Sequence, residues 1–149
     1  MRFDKTLIVV ALALCLAPGC GGGADRDPTP TDSEKNLLAL GTAIANYTSK
    51  NARPPADLTQ VKTWLKSVDA KKLQDWGITD VEKIFVSPRD NQPYLYARPV
   101  ELQSPIYAYE ATGVDGKKQM VGYALHVDEV SEDQLQYNIN AAKVKTPIE

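Results

Sequence analysis

The stretch that decides the fold class is Ile106-Tyr107-Ala108-Tyr109-Glu110-Ala111, followed after Thr112 by Gly113-Val114-Asp115-Gly116 and then by Gln119-Met120-Val121-Gly122-Tyr123-Ala124-Leu125-His126-Val127. Its flanks are rich in aromatic and β-branched residues, which favour the pleated surface of a sheet. Asp115-Gly116 between them is a strong signal for a tight hairpin, because both central residues of such a turn need positive φ. The stretch is therefore predicted as two antiparallel strands, 106–111 and 119–127. Upstream, Arg89-Asp90-Asn91-Gln92-Pro93 is turn chemistry, and Tyr94-Leu95-Tyr96-Ala97 reads as a further strand. The short apolar run Ile84-Phe85-Val86 stops at Ser87-Pro88. Downstream, Ser131 with Asp133 and Gln134 opens a last short helix carrying Leu135 and Ile139.

Before residue 80 the period changes from two to that of a helix. Leu37, Leu40, Ile44 and Tyr47 recur at intervals of three, four and three, with Leu38, Gly41 and Ala45 widening the stripe. Thr31 and Glu34 have capping-box spacing, with Asp32 as an alternative cap. Pro54-Pro55 cannot continue a helix, so this one ends near Asn51. Asp57 caps a second helix through Val68, whose buried face is Val61, Trp64, Leu65 and Val68. Ala70–Trp76 adds another turn or two, closed by Gly77. Helices first, short antiparallel strands after, and a closing helix make an α+β domain, with an N-terminal amphipathic helix and short helices on a small sheet.

The N-terminus follows other rules. Arg2 and Lys5 precede an eleven-residue apolar run, Leu7–Ala17, which suits a signal peptide and is shorter than the ~20 residues that span a bilayer. Leu16-Ala17-Pro18-Gly19-Cys20 resembles a lipobox, where bacterial lipoproteins are diacylated on the Cys and cut just before it. It departs from the usual pattern in holding Ala17 where Leu is customary, with Leu16 one place back, and in Pro18. An ordinary secretory signal cut after Gly19 is the other reading. A lipid on Cys20 accounts for a thiol that loses Cys15, the second of the chain's 2 cysteines, with the signal. Residues 20–31, with Gly21-Gly22-Gly23 and no large apolar side chain, have the composition of a flexible tether. The expected organisation is a signal peptide at 1–19, a lipidated tether at 20–31 and one domain at 32–149.

Of the 149 residues, 43% are hydrophobic and 24% charged, ordinary values for a domain able to bury a core unaided. Without residues 1–19 there remain 15 basic and 18 acidic residues, a net charge of −3. No basic face gathers to neutralise phosphates, which argues against nucleic acid as a partner. Lys117-Lys118 reads as a solvated hairpin tip.

The helix Asn36–Tyr47, Arg53-Pro54-Pro55, Ile84–Asp90, Tyr107–Glu110 and Val121–Gln134 together resemble the soluble head of pseudopilin-like proteins. These include the major type II secretion pseudopilin and a related pilin-like family of unknown function. The resemblance covers about residues 33–137. It implies a helix lying on a three- or four-stranded antiparallel sheet and a role in envelope or secretion assemblies. A pilin leader, with its cut before Phe and a glutamate at the fifth mature position, is missing. Cys20 and a polar tether stand in place of the hydrophobic stalk, which implies a fixed anchor rather than a filament subunit. The late calcium loop of the major pseudopilin has no equivalent, since Asp115, Asp128 and Glu129 are too scattered for six to eight oxygens.

Catalytic signals are sparse. His126 is the only histidine and, by alternation, shares a strand face with Ala124 and Asp128. It has no spaced partner for a metal. Ser87, Ser104 and Ser131 lack a nucleophile-elbow context. Gly21–Gly23 is not followed by the helix and Lys-Ser/Thr of a phosphate loop. Tyr94, Tyr96, Tyr107 and Tyr109 cluster in the strands, each pair on one face, and read either as cross-strand packing or as an aromatic binding surface. The leading expectation is a cofactor-free, non-enzymatic domain in the cell envelope, facing the periplasm or exterior. It would hold membrane lipid through Cys20 and bind an envelope protein. A small-ligand or glycan module on the tyrosine face is the alternative, and an enzyme built around His126 comes third.

Overall fold

A computed structural model describes residues 29–100 and 103–143. The expected signal peptide, the expected lipidation site Cys20 and the expected tether up to residue 28 lie outside the described residues. Among the described residues four α-helices and a four-stranded antiparallel sheet make an α+β domain. Among the described residues no helix is long and apolar enough to cross a membrane.

Helix α1 (Asp32–Asn51) starts at a realised capping box. The Glu34 N–H donates to Thr31 Oγ1 at 3.2 Å, and the Thr31 N–H donates back to Glu34 Oε2 at 2.7 Å. Asp57 caps α2 (Leu58–Leu65), and Asp69 caps α3 (Ala70–Asp75), after which Gly77 takes φ 74°. The Ile84–Val86 run becomes a 3-10 turn over Lys83–Phe85 and a lone bridge between Val86 and Pro93. Ser131 caps α4 (Glu132–Ala142).

The strands are β1 (Leu95–Tyr96), β2 (Ala108–Tyr109), β3 (Lys117–Val121) and β4 (Val127–Ser131), in that spatial order. Asp115 at φ 52° and Gly116 at φ 73° form the two-residue turn expected between β2 and β3. The Val114 and Lys117 main chains close it with reciprocal hydrogen bonds of 2.9 and 3.0 Å.

The run 119–127 is not one strand. It breaks after Val121 and returns as β4, with Val121 opposite Val127. Two features mark the break. A Cβ on Gly122 would lie 2.1 Å from the Pro105 carbonyl oxygen, so only glycine fits there. Leu125 adopts φ 51°, a left-handed conformation that no strand contains. His126 consequently sits in a turn, not on a strand face.

Both faces of the sheet are covered. Leu37, Leu40 and Ile44 of α1, with Val61 and Leu65 of α2, bury against Ala108 and Val121. On the other face Leu135 and Ile139 of α4 meet Met120, Val130 and Ile106. Gly41 sets the α1–sheet distance, since a Cβ there would lie 2.7 Å from Val121 Cγ2. Alternation fails at Tyr107 and Ala108, which both join the α1 side while Ile106 and Tyr109 join the α4 side. The Tyr107 N–H donates to the Val121 carbonyl, and Ala108 is the register partner of that same Val121. Two residues thus oppose one, as in a β-bulge.

Candidate binding site

The most unusual side chain of the domain is Glu110, a carboxylate 0% exposed at the end of β2. Burial of an ion this deep requires that its lone pairs be filled. Oε1 accepts from Ser87 Oγ at 2.8 Å and Ser33 Oγ at 3.2 Å, and Oε2 accepts from the Gln119 N–H at 2.8 Å. The Arg89 guanidinium lies 3.8 Å from Oε2 and continues to Glu129 at 2.7 Å, which Lys117 also approaches at 3.6 Å. Tyr94 closes the cluster, its hydroxyl donating to the Ser33 carbonyl at 3.1 Å. Burial, opposed by the Ser33 and Ser87 hydroxyls, holds that phenol above its ordinary pKa. The network ties the first turn of α1, the Ser87–Asn91 turn and strands β2 and β3 together.

The Ser87 turn is itself braced by Asp90. Its Oδ2 accepts from the Thr112 and Gly113 N–H groups at 2.9 Å each, and its Oδ1 from the Gln92 N–H at 3.0 Å. Burial pushes the Asp90 pKa up, but the N–H groups of Gly113, Thr112 and Gln92 outweigh it and the net shift is downward.

Directly beside this network opens a cavity of about 860 Å³, within the range that small-molecule pockets occupy. Its walls come from the start of α1, the Pro88–Arg89 turn, the β3–β4 turn and strand β4. Leu38, Leu125 and Val127 supply apolar surface, while Ser33, Gln119, Arg89 and Glu129 supply polar groups. Gln119 is only 3% exposed, and its Oε1 has no hydrogen-bond partner. Thr29 and Pro30, which lead into α1, also line the cavity.

The residues singled out in the sequence fall as follows. Cys20 lies outside the described residues. Tyr94 and Tyr107 are buried in the α1-side core, Tyr96 is half-buried with its hydroxyl donating to the Pro55 carbonyl at 2.9 Å, and Tyr109 is half-buried on the α4 side. Burial raises the pKa of Tyr96, Tyr107 and Tyr109 alike. The bulge at 107–108 sends Tyr107 and Tyr109 to opposite faces, so the four rings form no common exposed platform. Of the two readings of these rings, their burial fits packing better than an exposed aromatic surface.

His126 is 77% exposed in its turn, with Nε2 3.6 Å from Asp128 Oδ1. His126 lines the same cavity as Ser33, but the buried hydroxyls of Ser33 and Ser87 donate to Glu110 Oε1, and among the described residues no hydrogen bond joins His126 to a serine. Ser104 donates to the Ile106 carbonyl at 2.7 Å and Ser131 serves as a helix cap. Among the described residues no three His, Cys, Asp or Glu side chains gather where they could hold a metal.

Sequence reasoning passed over Glu110, Ser33 and Gln119. The available signal was a carboxylate set in an aromatic strand run, Tyr107-Ala108-Tyr109-Glu110, where a charge needs a buried partner. Comparison of the chain with protein-family models, with curated proteins and with solved structures finds no match.

Proposed function

We propose that this is an exported, Cys20-lipidated envelope domain that works by binding a protein partner rather than by catalysis. The observation that carries the reading is the placement of the cavity. It opens where Thr29 and Pro30 bring the tether into the domain, and it is walled by a mixture of apolar and polar groups suited to recognition. His126 and Ser33 line the same cavity, but among the described residues no hydrogen bond joins His126 to a serine, which supports a binding role over acyl transfer, where nucleophile and base lie within hydrogen-bond reach. The pilin-head resemblance remains part of this proposal. It is supported by α1 resting on β2, β3 and β4, as that architecture requires. A polar tether in place of a hydrophobic stalk makes the head a fixed module and not a filament subunit.

Mass spectrometry of the mature N-terminus tests the anchor. A diacylglyceryl mass on Cys20, with residues 1–19 removed, is expected, and Cys20→Ser should release the protein from the membrane fraction. An unmodified Cys20 overturns the anchor. Affinity capture from detergent-solubilised envelope tests the binding role, and the absence of any reproducible partner overturns it.

A further inference from the structure

The edge of the sheet beside the cavity is open. Val121 O accepts from the Tyr107 N–H and Gln119 O from the Glu110 N–H, so these β3 residues turn their main chain toward β2. Their partners across the ladder, Val127 and Glu129, therefore form the non-hydrogen-bonded pairs and turn their own N–H and C=O groups outward. β4 is the last strand of the sheet, and among the described residues nothing pairs with its outer edge. The side chains of Val127 and Glu129 also line the cavity, next to Leu38 and Leu125, which are 38% and 37% exposed. An extended peptide laid along β4 would satisfy the outward main-chain groups. It would also drop alternate side chains into the cavity, beside the Gln119 Oε1 that has no hydrogen-bond partner.

Charge selects the peptide. Residues 127–134 carry Asp128, Glu129, Glu132 and Asp133 and no Lys or Arg. Glu129 is paired with Arg89 and Lys117, and Glu132 with Lys118, while Asp128 has no Lys or Arg partner among the described residues and lies 3.6 Å from His126 Nε2. A second copy pairing antiparallel through β4 would set these carboxylates against one another, which is destabilising, and edge charges serve to prevent such self-pairing. The same charges favour an incoming strand with cations on one face and apolar residues on the other.

We propose that β4 is a strand-addition site for an extended, basic, amphipathic peptide segment of the partner. This deepens the binding reading above without depending on the Cys20 anchor. The probe is an alternating acetyl-(Val-Lys)3-amide peptide, with acetyl-(Val-Glu)3-amide as control, titrated into the isotope-labelled full chain in detergent and followed by NMR. Slowed exchange of the Val127 and Glu129 amides and a shift of the Gln119 side-chain amide are expected with the lysine peptide, and weaker binding with the glutamate peptide. Glu129→Pro removes an outward N–H and no ladder bond, but it also removes the carboxylate that Arg89 and Lys117 meet, so Glu129→Gln is its control. Both should lower the transition temperature alike, while only Glu129→Pro should abolish binding of the lysine peptide.

Should Glu129→Pro not fold, Asp128→Lys decides, since it should shift the preference toward the glutamate peptide by about fivefold per opposed pair. Protection of other amides, parental binding by a folded Glu129→Pro, or an unchanged preference in Asp128→Lys each overturns the site. Protection that rises with protein concentration and needs no peptide would assign the edge to a second copy and overturn the peptide. Peptide binding by a chain whose Cys20 proves unmodified would sink the anchor alone.

Discussion

Removing the Glu110 carboxylate tests whether the buried cluster holds the domain together. In Glu110→Ala the Gln119 N–H loses its acceptor in the interior, and an unsatisfied buried donor costs about 1–3 kcal/mol. The hydroxyls of Ser33 and Ser87 lie 3.3 Å apart and can turn to each other, so they add little. Arg89 keeps Glu129 at 2.7 Å, which limits the cost of its lost partner. The void left by the side chain adds to the N–H penalty, giving a total of about 3–5 kcal/mol, the range for breaking a buried charge cluster.

Glu110→Gln should behave differently. Its carbonyl can accept from the Gln119 N–H while its amide faces two serine oxygens that can rotate to accept, so the expected cost is only about 1–2 kcal/mol. Urea unfolding of the full chain in detergent gives both numbers, and the Ala variant should lower the thermal midpoint by on the order of 10 °C. If Ala and Gln substitutions cost the same, or if Ala costs under about 1 kcal/mol, the cluster is not what joins α1 to the sheet.

Gly41→Ala sets two effects of opposite sign against each other. The helix gains up to about 1 kcal/mol of propensity, but the 2.7 Å approach to Val121 Cγ2 costs about 1–3 kcal/mol of overpacking, so net destabilisation is expected. A stabilised variant by calorimetry would mean that α1 stands further from β3 than described. Asp90, held below its ordinary pKa, contributes stability that is complete above the unfolded value near 3.9 and is lost as pH falls through the folded one. The difference between the parent and Asp90→Asn should therefore be largest at neutral pH and shrink below about pH 4, and a difference independent of pH would contradict this. Tyr96→Phe removes the 2.9 Å bond to the Pro55 carbonyl and should cost about 1 kcal/mol, measured as a shift of the urea midpoint at unchanged slope.

What the sequence determined by itself was set by neighbours a few residues apart. Thr31 and Glu34 close their capping box three positions apart, Asp57 caps α2 at the same spacing, and Asp115-Gly116 takes the turn that two positive φ values demand. Each of these depends on a bond or dihedral that the local residues fully specify.

Only the tertiary structure decided the rest, because its causes lie far along the chain. Gly122 ends β3 since the Pro105 carbonyl occupies the space of a Cβ, and no property of the 119–127 run itself reveals that neighbour. The two tyrosines of β2 part company because α1 and α4 claim opposite faces of a bulged strand. Ser33 and Glu110 are 77 positions apart, and nothing in the residues around either joins them until α1 lies across the sheet. Which main-chain groups of β4 face away from β3 likewise follows only from the register of the ladder, which no residue of β4 specifies alone.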